Sequence, residues 1–131
     1  MTKMRYNVRM LRKDFKELLK TSKLYRRTTI VSGVLLLLTV ALPVWKILPI
    51  SGDNPYIPLH YNVYMGIDES GPWQHVFVLP AIGLVLLLVN SVLQVVFYKR
   101  EKVLSTFFAV ATVASEAILL VSMVLIVLLN L

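Results

Sequence analysis

Cysteine is absent from the chain, which excludes a disulfide framework, a thiolate metal site and a cysteine nucleophile, and leaves the redox compartment open. Acidic residues are scarce, seven against fourteen Lys and Arg, and histidine occurs only twice. No Gly-rich phosphate loop, HExxH pair or GxSxG elbow is present, and no serine has a nearby His and Asp to relay a proton. The expectation is a protein that is not an enzyme, with no catalytic, cofactor-binding or metal-ligating residue to assign. His60 and His75, with Asp53, Asp68 and Glu69 nearby, follow no recognised zinc-ligand spacing. A histidine on the polar face of a strand reads first as a hydrogen-bond partner.

What the chain has in excess is apolar surface. Of its 131 residues 57% are hydrophobic and the mean hydropathy is +0.73, against roughly 45–50% apolar in soluble domains. Three stretches meet the length of about 20 mostly apolar residues that a bilayer demands: residues 28–48, 76–98 and 103–131. The fold class expected is an all-α membrane protein with three transmembrane helices, an N-terminal amphipathic helix and a short extended or β segment in an outer loop. The first stretch lacks the marks of a cleaved signal, because residues 1–27 are too long for an n-region and no small-x-small site follows. Pro43 falls near its outer end, where a kink disturbs least. The third stretch exceeds the bilayer requirement and should tilt or project.

The net charge of +7 does not point to nucleic acid, because the cations are not spread over a readable binding fold. Ten of the fourteen lie before residue 28: Lys3, Arg5, Arg9, Arg12, Lys13, Lys16, Lys20, Lys23, Arg26 and Arg27. Such a cluster beside a span reads as a topology signal and a contact with anionic lipid headgroups, at about 1 kcal/mol per residue. Within it Met4, Val8, Leu11, Phe15 and Leu18 form one apolar stripe at helical spacing. That stripe either lies in the acyl boundary or docks on a helix, and the membrane surface is the preferred reading.

Short flanks set the orientation. The turn 99–102 is basic, whereas the loop 49–75 has no Lys or Arg and carries Asp53, Asp68 and Glu69. Positive flanks stay in the cytoplasm, which places residues 1–27 and the turn inside and the loop and C-terminus outside. Trp45 and Trp73 mark the outer interface, Tyr25 and Tyr98 the inner one. In the loop, Ile57, Leu59, Tyr61, Val63, Met65 and Ile67 alternate with polar or small residues, the period of one strand with an apolar face. Its unpaired edges require a second strand, a neighbouring subunit or the interface.

Glu116 is the one ionisable residue deep in a span, where a charge costs about 2.5–3.5 kcal/mol. The tight turn 99–102 makes the second and third spans an antiparallel hairpin, so residues equidistant from it lie at similar depth. Asn90 then sits near Ala111 and Thr112, about a turn and a half short of Glu116. Opposite side-chain tilts on the two helices should bring Asn90 and Glu116 toward hydrogen-bonding reach. Ser105, Ala109, Thr112 and Glu116 share one stripe, facing Gly83, Leu87, Asn90 and Gln94. The expected intramembrane cluster is therefore Asn90, Gln94, Thr112 and Glu116, acting as glue between helices or subunits. A proton or ion relay is the alternative, although no second ionisable group accompanies Glu116.

The sequence Ile57-Pro58-Leu59-His60-Tyr61-Asn62, followed by Gly66, Asp68, Gly71-Pro72-Trp73 and Leu79-Pro80, resembles the outer motif of the membrane domain of unknown function in SdpI-like proteins, over about residues 30–98. The resemblance singles out Pro58, His60, Asn62, Gly66, Asp68 and Trp73 and implies a cytoplasmic-membrane protein of a prokaryote, in some members linked to toxin immunity and signalling. The leading expectation is a small accessory subunit whose partners are lipids and other membrane proteins or further copies of itself. An immunity or sensing protein meeting an extracytoplasmic peptide, and an oligomeric conductor built on Glu116, are the alternatives.

Overall fold

The computed structural model describes residues 7–131, so Lys3, Met4 and Arg5 lie outside the described residues. The amphipathic stripe folds as α1, Val8–Thr21. Ser22 interrupts it in extended conformation, φ −115° and ψ 119°, and α2, Lys23–Lys46, starts at once. Arg26 and Arg27 therefore belong to the long helix, which begins ahead of the apolar run at 28 because nothing in Lys23–Arg27 breaks a helix. Pro43, buried near the end of α2, removes one backbone donor, and the chain leaves through a short 3-10 turn at Leu48–Ile50.

The loop contains two strands where one was expected. β1, Tyr56–Asn62, and β2, Gly66–Pro72, pair antiparallel with Asn62 opposite Gly66 and Ile57 opposite Gly71, and with irregular register around His60. The turn 63–65 cuts through the alternating sequence. The second strand that β1 requires is thus supplied by its own continuation, and the apolar face survives only at its base: Ile57 is buried, while Val63, Met65 and Ile67 are exposed. Gly66 exits the turn at φ +77°, a left-handed conformation that glycine adopts without strain.

A 3-10 segment, Trp73–Phe77, leads into α3, Val78–Tyr98. Pro80 sits in its first turn, where a missing donor is harmless. After the turn at Lys99 and Arg100, α4 runs Lys102–Leu129. Among the described residues three helical segments are long and apolar enough to cross a membrane. α4 packs along both α2 and α3, which meet each other far less. It is the central helix, and its buried face is Ser105, Ala109, Thr112, Glu116, Met123 and Val127. The hydroxyls of Tyr25 and Thr106 lie 3.2 Å apart near the starts of α2 and α4, so those two helices run parallel and α3 runs against both.

Apolar clusters close the two ends of the bundle. At the hairpin end Ile47, Ile57, Val76, Met123 and Val127 are buried together, flanked by Trp73, Phe77 and Leu79. α4's last turn is tied there by Asn130, whose Nδ2 donates to the Pro58 carbonyl at 3.0 Å. The extra length of α4 is spent on this contact. At the other end Leu18 of α1 packs with Tyr25, Val95 and Ala109, flanked by Leu11, Phe15 and Tyr98. Leu11, Phe15 and Leu18 of the α1 stripe thus dock on helices of their own chain, where the membrane surface was the preferred expectation, while Val8 is exposed. Tyr25, expected as an interface anchor, is buried and meets Tyr98 edge to face at 5.6 Å.

Candidate functional site

The densest polar feature is the seam around α4. Small and hydroxyl side chains there let helices approach closely, and two cross-links join α3 to α4. Asn90 Nδ2 donates to Thr112 Oγ1 at 3.0 Å, and Ser105 Oγ donates to the Gln94 carbonyl at 2.7 Å. Both pairs fall at the depth that the tight turn dictates. Thr112 in turn donates to the Phe108 carbonyl at 2.6 Å, so its hydroxyl both gives and accepts.

Glu116 is fully buried, with 0% exposure, and among the described residues neither carboxyl oxygen has a partner. The expected contact with Asn90 is absent, because Asn90 is held by Thr112 and Glu116 lies further along α4. Opposite the carboxyl is Gly83. A Cβ on Gly83 would stand 2.7 Å from Glu116 Oε2 and 3.0 Å from Leu36 Cδ1. Gly83 is therefore the gap in α3 that admits the carboxyl, with α2 closing the third side. Gln94 Oε1 and Ser32 Oγ are also buried without partners among the described residues. Of the expected cluster, then, Asn90 meets Thr112, whereas Gln94 and Glu116 each leave side-chain oxygens unpaired.

Sequence reasoning missed the α2 wall of this seam. Tyr25, Ser32 and Thr39, all buried, recur every seven residues, and that heptad of polar-tipped side chains inside an apolar run was the available signal. Thr39 satisfies its own hydroxyl on the Leu35 carbonyl at 2.9 Å.

The loop residues singled out by the motif hold the hairpin together. His60 Nδ1 and Asp68 Oδ1 are 2.7 Å apart across the strands. The His60 ring holds the Asp68 carboxyl below its ordinary value of 3.8, chiefly through this hydrogen bond. The Tyr64 backbone N–H donates to Asn62 Oδ1 at 2.9 Å, bracing the turn. The Pro58 carbonyl receives Asn130, and Trp73 stacks edge to face on Phe77 at 6.3 Å. Gly71 leaves room for close packing, since a Cβ there would come 2.8 Å from Leu59 Cδ1 and 3.2 Å from His75 Nδ1 and these side chains would have to shift. Beyond the braces the tip is bare: Val63, Tyr64 and Met65 are 84%, 95% and 79% exposed.

No protein family, curated protein or solved structure matches the chain.

Open clefts flank the bundle, two of them large. One, of about 620 Å³, lies at the hairpin end between β1, β2 and the ends of α3 and α4, with His60, Tyr61 and Glu69 on its polar side and Leu79, Leu125 and Ile126 on its apolar side. The other, of about 470 Å³, lies between α1 and α3. Of the cationic positions, Arg9, Arg12, Lys13, Lys16, Lys20, Lys23, Arg26 and Arg27 are exposed. Among the described residues no group of three His, Asp or Glu side chains could hold a metal ion.

Proposed function

We propose that this chain is a membrane-spanning accessory subunit that recruits a partner through the tip of its β-hairpin. Its helices carry Leu37, Ile118, Leu128 and many other large apolar side chains on outward faces, a surface that water does not tolerate and lipid solvates. The charge pattern supports α1 and the turn after α3 lying in the cytoplasm and the hairpin outside, and the SdpI-like resemblance implies the cytoplasmic membrane of a prokaryote. The observation that carries the interaction reading is the tip: Val63, Tyr64 and Met65 are consecutive, large and almost wholly exposed. They stand on a hairpin braced by His60–Asp68 and Asn130–Pro58. A rigid stalk ending in apolar side chains is suited to burial against another protein.

Purification from native membranes in mild detergent tests this. The chain should emerge with a partner or as an oligomer, and a triple substitution of Val63, Tyr64 and Met65 to Ser should release it without loss of folded protein. A wild-type chain that is always solitary and monomeric would overturn the reading.

Two other readings rest on their own observations. The unpaired carboxyl of Glu116, with Ser32 Oγ and Gln94 Oε1 also unpaired in the seam, favours ion or proton conduction in an oligomer. Flux in liposomes should then vanish in Glu116→Gln while assembly persists. The cleft beside His60 and Tyr61 favours SdpI-like sensing of an extracytoplasmic peptide. In that case His60→Ala should abolish protection with the amount of folded protein unchanged.

A further inference from the structure

The cleft between α1 and α3 has a polarity that the overall basic charge of α1 conceals. With about 100° of rotation per residue, the stripe Leu11, Phe15 and Leu18 is flanked by unlike charges. Arg12 and Lys16 lie along one side, while Arg9, Lys13 and Lys20 group opposite the stripe. Asp14 and Glu17 lie along the other, facing a second, smaller cleft of about 120 Å³ that Lys99 also lines. There Lys99 Nζ comes 3.5 Å from Asp14 Oδ2. Both acids of α1 are thus turned toward the basic turn after α3. Among the described residues Arg12 is the only charged one lining the larger cleft.

That cleft is a trough of apolar side chains. Val8 and Phe15 of α1 face Leu88 and Val92 of α3, with only the Thr29 and Ser91 hydroxyls besides Arg12 to offer polar contacts. Its volume of about 470 Å³ falls in the range of roughly 300–1,000 Å³ typical of small-molecule sites. A long apolar trough with cations on one lip and no carboxylate in its lining complements an amphiphile with a hydrocarbon chain and an anionic head.

We propose that this cleft is a selective site for one anionic phospholipid of the cytoplasmic leaflet, an acyl chain lying between α1 and α3 and the phosphate held by Arg12, with Lys16 one turn along the same lip. The inference rests on the membrane reading above and goes further than general attraction of a basic helix to a charged surface. By helical position Arg9, Lys13 and Lys20 fall opposite the stripe, on the far side of α1 from the trough, and contribute nothing to selectivity. Guanidinium is the suitable head for phosphate, since its planar fork donates two parallel hydrogen bonds.

The test uses the full chain in vesicles of phosphatidylglycerol and phosphatidylcholine with matched acyl chains in equal amounts, released intact into a mass spectrometer and weighed with its retained lipid. One phosphatidylglycerol should be retained, in preference to phosphatidylcholine by roughly five-fold per cationic side chain engaged, the factor matching about 1 kcal/mol each. Arg12→Gln with Lys16→Gln should bring the ratio near parity, and Lys13→Gln with Lys20→Gln should leave it as in the wild type. Val92→Trp, which fills the trough and spares every charge, should expel the lipid. Parity in the wild type, an equal loss from the far-face pair, or phosphatidylglycerol still held by Val92→Trp would each overturn the site. A chain that never enters the vesicles would sink the membrane reading as well, whereas one that inserts without preference sinks the lipid site alone.

Discussion

Gly83 and Glu116 are one feature seen from two helices. Overpacking a closed seam costs about 1–3 kcal/mol, so Gly83→Ala should destabilise the fold by that amount, because its new methyl meets Glu116 Oε2 and Leu36 Cδ1. In a Glu116→Ala background the same change should cost less, since half of the collision is gone. A double-mutant cycle followed by unfolding in detergent reads the coupling, and strict additivity would show that the carboxyl does not occupy the gap. The shared depth of Asn90 and Thr112 is legible in the sequence because the tight turn fixes the depth of every pair, although the hydrogen bond expected of Asn90 is to Glu116 and the one it makes is to Thr112. Glu116 was misjudged because a turn and a half of helix is about 8 Å, more than opposing tilts can close. At the surface, Asp68 gives a pH prediction with a definite sign. Its folded value is lowered by His60, so its contribution is present above pH 3.8 and is lost as the pH falls through the lowered value. A carbon-detected titration of Asp68 should find its midpoint below 3.8 and restored to the ordinary value in His60→Ala; an unshifted midpoint in the wild type would refute the pairing.

The elements divide into those whose sequence pattern was unambiguous and those whose pattern continued past its structural limit. The three long helices were readable from length and apolarity alone. The hairpin was not, because Val63, Tyr64 and Met65 keep up the alternation through the turn, and the turn has none of the Asn-Gly or Asp-Gly pairs that announce a hairpin; Gly66 was the only mark. For α1 the stripe was visible but its counterpart was not, since a periodicity says which face is buried and never against what. The hairpin's attachment predicts that Asn130→Ala costs about 1 kcal/mol and speeds amide exchange in Tyr56–Asn62 and Gly66–Pro72. Exchange left unchanged would mean that the apolar cluster of Ile57 and Val76 holds the hairpin unaided. Gly66→Ala, placing a Cβ at φ +77°, should loosen the same strands by at least about 1 kcal/mol. Leu18→Ala should cost about 2–5 kcal/mol and open Val8–Thr21 to protease while α3 and α4 stay paired.

At the scale of the molecule, three apolar rods carry cations at one end and an acidic, apolar-tipped hairpin at the other, with a polar seam along the central helix. On the proposed reading each surface has a different neighbour: anionic headgroups at α1, acyl chains along the outward helix faces, and a protein at the hairpin tip. All three assignments depend on the chain crossing a bilayer with α1 in the cytoplasm. The absence of cysteine makes that claim directly measurable, because any single introduced thiol is the only target for a membrane-impermeant maleimide. In intact cells Tyr64→Cys and Leu131→Cys should label and Lys13→Cys and Glu101→Cys should not, the latter pair reacting only after the membrane is opened. Labelling of Lys13→Cys in intact cells, or Tyr64→Cys protected until lysis, would contradict the account.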